Sequence, residues 1–442
     1  MKESEYWNPQ VETMPLNQLK EIQLKKIKYL INYAYHNSKW YHKLYDEANI
    51  KPEDIKTLDD FKKIPFFRKD DMRHETEKTG DPFAGILTVP LERIVSIHPS
   101  TGTTGVPTFM PYTSDDLKIM SDVALRNLWM MKLRPGMKMI ANPMNWHWFA
   151  CAYNMGFQRL NLSWGINACI PHPVTAPHMY NAIVRLKPDF GVIVLDLMLG
   201  LNDLCKRLGV KPKEVFSSLK YVFDGMGEPV TPELRKTLID MWGLEDLWDA
   251  GGVGDGLLPV ADCYAHLGQH VWDDYYYIEL IDMETEELLG PEERGEYLVT
   301  NLFILGHPYV RFATEDFAYM SEKECDCGRT HLRLRVFSRT GWVFDIAGHK
   351  INPYDVRLVL EKFPETREGS FTMYKTKGKM DKLRLKVAYD KDLTKDLDDL
   401  TRRVKEAIKK DLGVDSEIEW ATWEEIPKIF HKIQRITDLS KE

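Results

Sequence analysis

Apolar residues recur at spacings of three and four across residues 15–50: Leu16, Leu19, Ile22, Ile27, Leu30, Ile31 and Ala34, with basic residues between them. That period is helical and gives one apolar stripe to set against a core. Asn37-Ser38 breaks it, and a second helix with Trp40, Tyr41 and Leu44 follows. Residues 57–72 read as a short helix and an extended connector, and Thr113-Ser114-Asp115-Asp116 as the start of an amphipathic helix reaching Met131. Strands at 138–142, 168–170, 190–195 and 221–224 then alternate with helices at about 178–186, 197–207 and 231–242. Such alternation predicts a mainly parallel, layered α/β body. Short strands at 275–281, 296–300 and 310–312 follow, and from about Gly341 the order becomes strand 343–347, helix 353–363, strand 383–389, helix 394–411 and strand 417–421. The expected fold is therefore α/β. Its large N-terminal domain over 1–339 has several subdomains with layered sheets, and a small α+β domain covers 340–442.

Composition narrows the function classes. A net charge of −8 over 442 residues argues against a general nucleic-acid binder, which needs a positive face. No apolar run is long enough to span a membrane, and Met1-Lys2-Glu3-Ser4-Glu5 has no signal-peptide core, so the expected compartment is the cytoplasm, without membrane or nucleic-acid partners. Six cysteines in so long a chain do not make a disulfide scaffold.

The stretch densest in candidate chemistry is His98-Pro99-Ser100-Thr101-Gly102-Thr103-Thr104-Gly105-Val106-Pro107-Thr108, set between strand-like segments at 93–97 and 108–112. Glycines free the backbone to expose consecutive N–H groups and the hydroxyls add donors, a combination suited to phosphate oxygens; the plain alternative is a hydroxyl-rich hairpin turn. It is not a Walker loop, because Val106-Pro107 stands where Lys-Ser/Thr would be needed. Asn145-Trp146-His147-Trp148-Phe149 follows a strand end, where α/β sheets bind ligands, and reads as a pocket wall or as packing aromatics. Cys325-Asp326-Cys327-Gly328 brings two thiols together, with Cys263, His266 and His270 upstream. Cys263, Cys325 and Cys327 with one histidine would make a closed, structural Cys₃His zinc site, with His266 placed ahead of His270 as the fourth ligand. Buried reduced thiols are the alternative.

Several separated segments together resemble the adenylate-forming enzymes. Residues 99–108 are similar to their Ser/Thr/Gly signature loop, and Gly225-Met226-Gly227-Glu228-Pro229 to their adenine-binding turn. Tyr309-Val310-Arg311-Phe312-Ala313-Thr314-Glu315-Asp316-Phe317 is similar to the stretch whose aspartate holds the ribose. Ser338-Arg339 and Gly348 sit at the hinge motif, and Pro427 to Arg435 resembles the terminal lysine segment. Trp7-Asn8-Pro9, the helical opening, the overall length and the segment 325–330 place the resemblance with the phenylacetate–CoA ligase family, some of whose members carry a structural zinc in this region.

The resemblance implies an ATP- and Mg²⁺-dependent acid–thiol ligase. A carboxylate attacks the α-phosphate to give an acyl-adenylate and pyrophosphate, and coenzyme A then displaces AMP. It assigns catalysis to Lys432 and Asp255, and ATP binding to Ser100, Thr101, Gly102, Thr103, Thr104, Gly105, Gly227, Glu228, Pro229, Asp249, Asp316 and Arg339. It assigns the acyl pocket to Trp146, His147, Phe149, Gly251 and Gly252, and the hinge and coenzyme A side to Gly341 and Gly348. The small C-terminal domain would be mobile, the substrate a small carboxylic acid of aromatic or similarly flat shape, and the assembly a homodimer.

The chain departs from the family pattern at Gly254-Asp255, where Thr-Glu is usual, at Gly341-Trp342 in place of the hinge acidic pair, at Ala347 and at His431. Two alternatives follow from these departures. One is an adenylating enzyme that passes the acyl group to an amine, an alcohol or a carrier thiol; the other is a weakened homologue that binds nucleotide.

Overall fold

The computed structural model describes residues 4–440 apart from 100–106, 142–147, 168–174, 226–228, 254–257, 367–369 and 430–431. Side chains are further left out at 148–151, 164–167, 175, 225, 253, 428–429 and 432. The chain forms two compact units. The first holds Met1–Met139, Pro143–Ile166 and Trp248–Arg335, and the second holds Ile140–Asn142, Asn167–Leu247 and Val336–Glu442. The segment 167–247 thus groups with the C-terminal stretch.

In the first unit the helical period at the N-terminus gives the helix Leu16–Asn37, which buries Leu19, Ile27, Leu30, Ile31 and Ala34 along one stripe. Ser38 takes an extended conformation and ends it. The Ser38 hydroxyl accepts the Tyr41 N–H at 3.4 Å, starting the helix Lys39–Glu47, and donates to the Gly85 carbonyl at 2.9 Å. The unit's strands lie in the sheet order Leu288–Leu289, Tyr276–Ile281, Arg294–Asn301, Phe312–Ser321, Arg333–Arg339, Gln269–His270, Leu258–Asp262 and Asp246–Val253. Every residue of Arg294–Asn301 after the first is buried. A Cβ at Gly295 would come within 2.3 Å of the Ile281 carbonyl oxygen, so the neighbouring strand requires glycine there. Two buried arginines of this unit are paired: Arg126 makes two bonds to Asp274 at 2.7 and 2.9 Å, and Arg311 lies 2.9 Å from Glu279.

In the second unit Phe190–Val192 pairs in parallel with Tyr221–Gly225, as strand–helix–strand alternation predicts. Helices Leu195–Leu208 and Pro232–Trp242 are tied by the Trp242 indole N–H, which donates to Asn202 at 2.6 Å. The C-terminal part is a four-stranded sheet in the order Asp415–Ala421, Lys382–Ala388, Phe371–Lys375 and Ile436–Asp438. Helices Pro353–Leu360 and Leu397–Leu412 belong to the same part, and its core gathers Val356, Leu360, Phe371, Leu385, Val404 and Ile408.

The α/β class agrees with the pattern of the sequence, and among the strands from residue 246 to 321 the described pairing becomes antiparallel. Asp246–Val253 with Leu258–Asp262, Leu258–Asp262 with Gln269–His270, and the pairs joining Tyr276–Ile281, Arg294–Asn301 and Phe312–Ser321 are all antiparallel. Short connections between these strands permit hairpins and leave no room for crossover helices. The strand expected at 168–170 lies outside the described residues, and the preceding one runs Trp164–Asn167. Among the described residues no helix is long and apolar enough to cross a membrane.

His307 is buried beside the rings of Phe83 and Tyr309, with centroids 6.4 and 5.1 Å away, and burial pushes its pKa down to about 3. The unfolded chain would protonate this ring near pH ~6.5. Between these values the unfolded state binds the extra proton, so stability is fully present above the unfolded pKa and is lost as pH falls. This one group should remove about 1.4 kcal/mol per pH unit below pH ~6.5. His307→Phe should flatten the acid limb of a plot of urea midpoint against pH; an unchanged limb would show that the ring does not titrate on unfolding.

Candidate functional site

The hydroxyl- and glycine-rich stretch is the connection of a hairpin. Ile94–Pro99 pairs antiparallel with Phe109–Thr113, His98 facing Met110 and Pro99 facing Phe109. His98 is buried and its Nε2 lies 2.9 Å from the Ser96 hydroxyl. The outgoing strand is locked at its end. Thr113 caps the helix Ser114–Met130, its N–H donating to Asp116 at 2.8 Å while its hydroxyl accepts the Asp116 N–H at 3.2 Å. The second Asp116 oxygen accepts the Leu305 N–H at 3.0 Å. Gly306 allows this approach, since a Cβ there would sit 2.8 Å from both the Asp116 carboxylate and the Thr113 methyl.

The other assigned residues fall into two groups. Ser100, Thr101, Gly102, Thr103, Thr104, Gly105, Trp146, His147, Gly227, Glu228 and Asp255 lie outside the described residues, as do the side chains of Phe149 and Lys432. In the first unit Gly251 and Gly252 face Val260 and Pro259 across an antiparallel pair. On the same strand the Asp249 N–H donates to Asp262 at 2.9 Å, and its carboxylate accepts from the Gln269 amide at 3.1 Å. Asp316 is half-buried on Phe312–Ser321, next to Glu315, whose φ of 58° is left-handed. In the second unit Pro229 precedes Thr231, whose hydroxyl caps Pro232–Trp242, and the Pro229 carbonyl lies 3.5 Å from the Arg357 guanidinium. Arg339 ends its strand, and Gly341 is exposed on the one-turn helix Thr340–Trp342. Gly348, at φ 87°, makes the turn between Phe344–Ile346 and His349–Ile351. Lys432 lies in the short strand Lys432–Ile433, paired with Lys428–Ile429.

One constellation is fully visible, in the first unit. Cys263 follows the strand Leu258–Asp262, His270 ends the strand Gln269–His270, and Cys325 and Cys327 lie on a turn closed by the Gly328 N–H donating to the Cys325 carbonyl at 2.8 Å. All four side chains are buried, with their ligand atoms within 4.8 Å of one another. Cys263 Sγ is 3.6 Å from Cys325 Sγ, and Cys327 Sγ is 3.3 Å from His270 Nε2. The three thiols are free rather than bridged. His270 directs Nδ1 to the His331 carbonyl at 3.3 Å, leaving Nε2 for the cluster. Hydrogen bonds from Cys263 hold the Cys325 and Cys327 thiols low, and the same contacts push the Cys263 thiol up. Burial works against protonation of His270, but the neighbouring thiolates outweigh it and raise its pKa. Three soft donors and an imidazole at these separations fit a tetrahedral divalent cation with no open position.

His266 is not the fourth member of this cluster. It sits at a left-handed φ of 52° on the turn after Cys263, and its Nδ1 is 2.7 Å from Asp262. His270 takes the place because a residue at a strand end faces the turn that carries Cys325 and Cys327. Sequence spacing does not separate the two histidines; strand pairing does.

Comparison with known proteins agrees with this architecture. Residues 348–440 match the AMP-binding enzyme C-terminal domain. The phenylacetate-coenzyme A ligase of Thermus thermophilus is 29% identical over 98% of this chain and 100% of its own length, and that of Escherichia coli is 26% identical over 97% of each. Along almost its whole length the chain is similar to the phenylacetate–CoA ligases. The fold also resembles a solved 2-hydroxyisobutyryl-CoA ligase, with a TM-score of 0.89 at 22% identity over 99% of this chain and 93% of that one. A solved anthranilate CoA ligase, with a TM-score of 0.61 at 17% identity over 79% of this chain and 67% of that one, shares the general architecture. The family's C-terminal domain begins here at Gly348, so the departures at Gly341, Trp342 and Ala347 lie just before it. Sequence reasoning did not find Gln269 beside Asp249, nor the reach of Asp116 to Leu305. Asp116 had a signal, since a capping aspartate is visible in sequence; its long-range partner was not.

Proposed function

We propose that this protein is an ATP-dependent carboxylate–CoA ligase that forms an acyl-adenylate and transfers the acyl group to coenzyme A. The observation that carries this reading is the similarity to a phenylacetate-coenzyme A ligase along 98% of this chain and all of the relative, with the motif segments in order. In the first step a carboxylate oxygen attacks the α-phosphorus and the bond to pyrophosphate breaks. In the second the thiolate of coenzyme A attacks the acyl carbon and AMP leaves with the bonding pair. The loop 100–105, held at both ends by paired strands, supplies N–H and hydroxyl donors to the outer phosphates. Glu228 and Asp316 orient the adenosine, and Lys432 bridges the incoming carboxylate and the α-phosphate. Mg²⁺ bound with ATP would neutralise charge on the phosphates, and Asp255 is the residue assigned to it. Trp146, His147 and Phe149 with Gly251 and Gly252 suit a flat, aromatic acid, Gly251 and Gly252 removing side-chain bulk from their strand. The small domain would turn about Gly341 between the two steps. A cytoplasmic setting and a homodimer complete the reading.

AMP release should require both an aromatic acid and coenzyme A. Lys432→Ala should slow adenylation on the order of 10²–10³-fold while leaving thioester formation from supplied acyl-adenylate intact. Equal loss of both steps would remove Lys432 from its role. Adenylation without consumption of coenzyme A would favour a different acyl acceptor, the outcome that the hinge substitutions at Gly341 and Trp342 would explain.

We also infer that Cys263, His270, Cys325 and Cys327 hold a structural Zn²⁺. Purified protein should carry about one zinc per chain. Metal analysis should find it lost in Cys325→Ser and His270→Ala but kept in His266→Ala; retention in His270→Ala would contradict the ligand set.

A further inference from the structure

The turn that carries Cys325 and Cys327 does a second thing: its next residues hold the N-terminal segment. The Cys327 carbonyl accepts the Tyr6 hydroxyl at 3.0 Å. Gly328, at φ 76°, leaves room for that ring, since a Cβ would sit 2.5 Å from the Tyr6 oxygen. The Arg329 guanidinium lies 4.9 Å over the Tyr6 ring and donates to the Glu5 carbonyl at 2.9 Å. It also donates at 2.9 Å to the carboxylate of Glu12, and both side chains of that pair are almost wholly buried. The other Glu12 oxygen accepts the Asn8 N–H at 2.7 Å, so this one carboxylate closes the segment on itself. The Thr330 N–H donates to the Glu12 carbonyl at 3.2 Å, and the Thr330 hydroxyl donates to that of Met14.

His331 joins this anchorage directly to the cluster. Its carbonyl faces His270 Nδ1 at 3.3 Å. Its own Nδ1 accepts the Asp273 N–H at 2.9 Å, which puts the ring proton on Nε2, 3.0 Å from the Val11 carbonyl. Two strands of contact therefore connect the thiol–imidazole cluster to the segment, one through the Cys327 carbonyl and Arg329 and the other through His331.

We propose that the cluster is a metal-set clasp: holding the ion and docking residues 4–14 are one coupled equilibrium, with Arg329 and His331 as the positioning residues. The proposal rests on the zinc reading above. The reason is geometric. A bound ion fixes Cys325, Cys327 and His270 relative to one another, and that fixes where the Cys327 carbonyl, Arg329 and the His331 carbonyl point. Without the ion, three thiols and an imidazole have only weak mutual contacts to hold the turn, and the buried Arg329–Glu12 pair loses its support. Coupling of this kind is reciprocal, so whatever undocks the segment must loosen the ion by the same factor.

Two measurements on the full-length protein test this. Zinc transfer to a colorimetric chelator should be about tenfold faster from Tyr6→Phe, which removes one hydrogen bond from the clasp, and faster still from Glu12→Gln. Tyr6→Phe is the milder change and keeps the test available if Glu12→Gln does not fold. Hydrogen exchange of the backbone amides of residues 4–14 should speed up when the wild-type protein is stripped of zinc, and slow again on adding zinc alone. Zinc present, with release rates equal to wild type in both variants or with exchange unaltered by stripping, would overturn the clasp and leave the zinc site standing. Protein purified without zinc would overturn the zinc site itself, and the clasp with it.

Discussion

A single buried carboxylate, Asp116, holds the end of the strand that leads out of the stretch on which the proposed chemistry depends. Asp116 accepts the N–H groups of Thr113 and Leu305 and the hydroxyl of Thr113, at 2.8, 3.0 and 2.7 Å. It therefore ties the end of one hairpin strand, the start of a helix and a distant backbone segment into one point. A phosphate grip works only if its donors are placed before charge develops, and placement requires fixed ends. The antiparallel pairing joins the two strands that flank residues 100–106, and Asp116 holds the far end of the second of them. Gly306 belongs to the same device, because any side chain there would push the Leu305 backbone off the carboxylate.

The cysteine–histidine cluster organises another part of the same unit by similar logic. The ends of two neighbouring strands and a turn distant in sequence deliver Cys263, His270, Cys325 and Cys327 to one buried point. The residues that follow Cys327 are committed to the N-terminal segment through Arg329, Thr330 and His331. An ion at this point would be structural. The cluster is closed and buried, and its outward contacts are backbone carbonyls and a buried ion pair.

What the sequence made legible was local. The N-terminal helix and its end at Ser38, the capping of Ser114–Met130, the hairpin around residues 100–105 and the C-terminal α+β part all follow from periodicity, capping residues and turn chemistry. Cys325 and Cys327 could be paired because they stand beside one another on one turn, and Cys263 could be added as a thiol that precedes two histidines. The choice between His266 and His270 could not be made that way, because four residues of separation say nothing about which one a strand pairing will turn toward the thiols. The partners of the strands between 246 and 338 could not be named for the same reason, because apolar content does not say which strands lie side by side or in which direction. The grouping of 167–247 with 336–442 depends wholly on contacts between distant segments, and the sequence carries no sign of it.

The central claim is that the loop, the adenosine-side residues and Lys432 together make an adenylation site for a carboxylic acid. Exchange of labelled pyrophosphate into ATP, measured with and without a panel of aryl carboxylic acids and in the absence of coenzyme A, tests it most directly. The account predicts exchange that requires an acid and falls sharply in Lys432→Ala. No exchange with any acid, from protein that binds ATP, would contradict it and point instead to a homologue that binds nucleotide without activating a substrate.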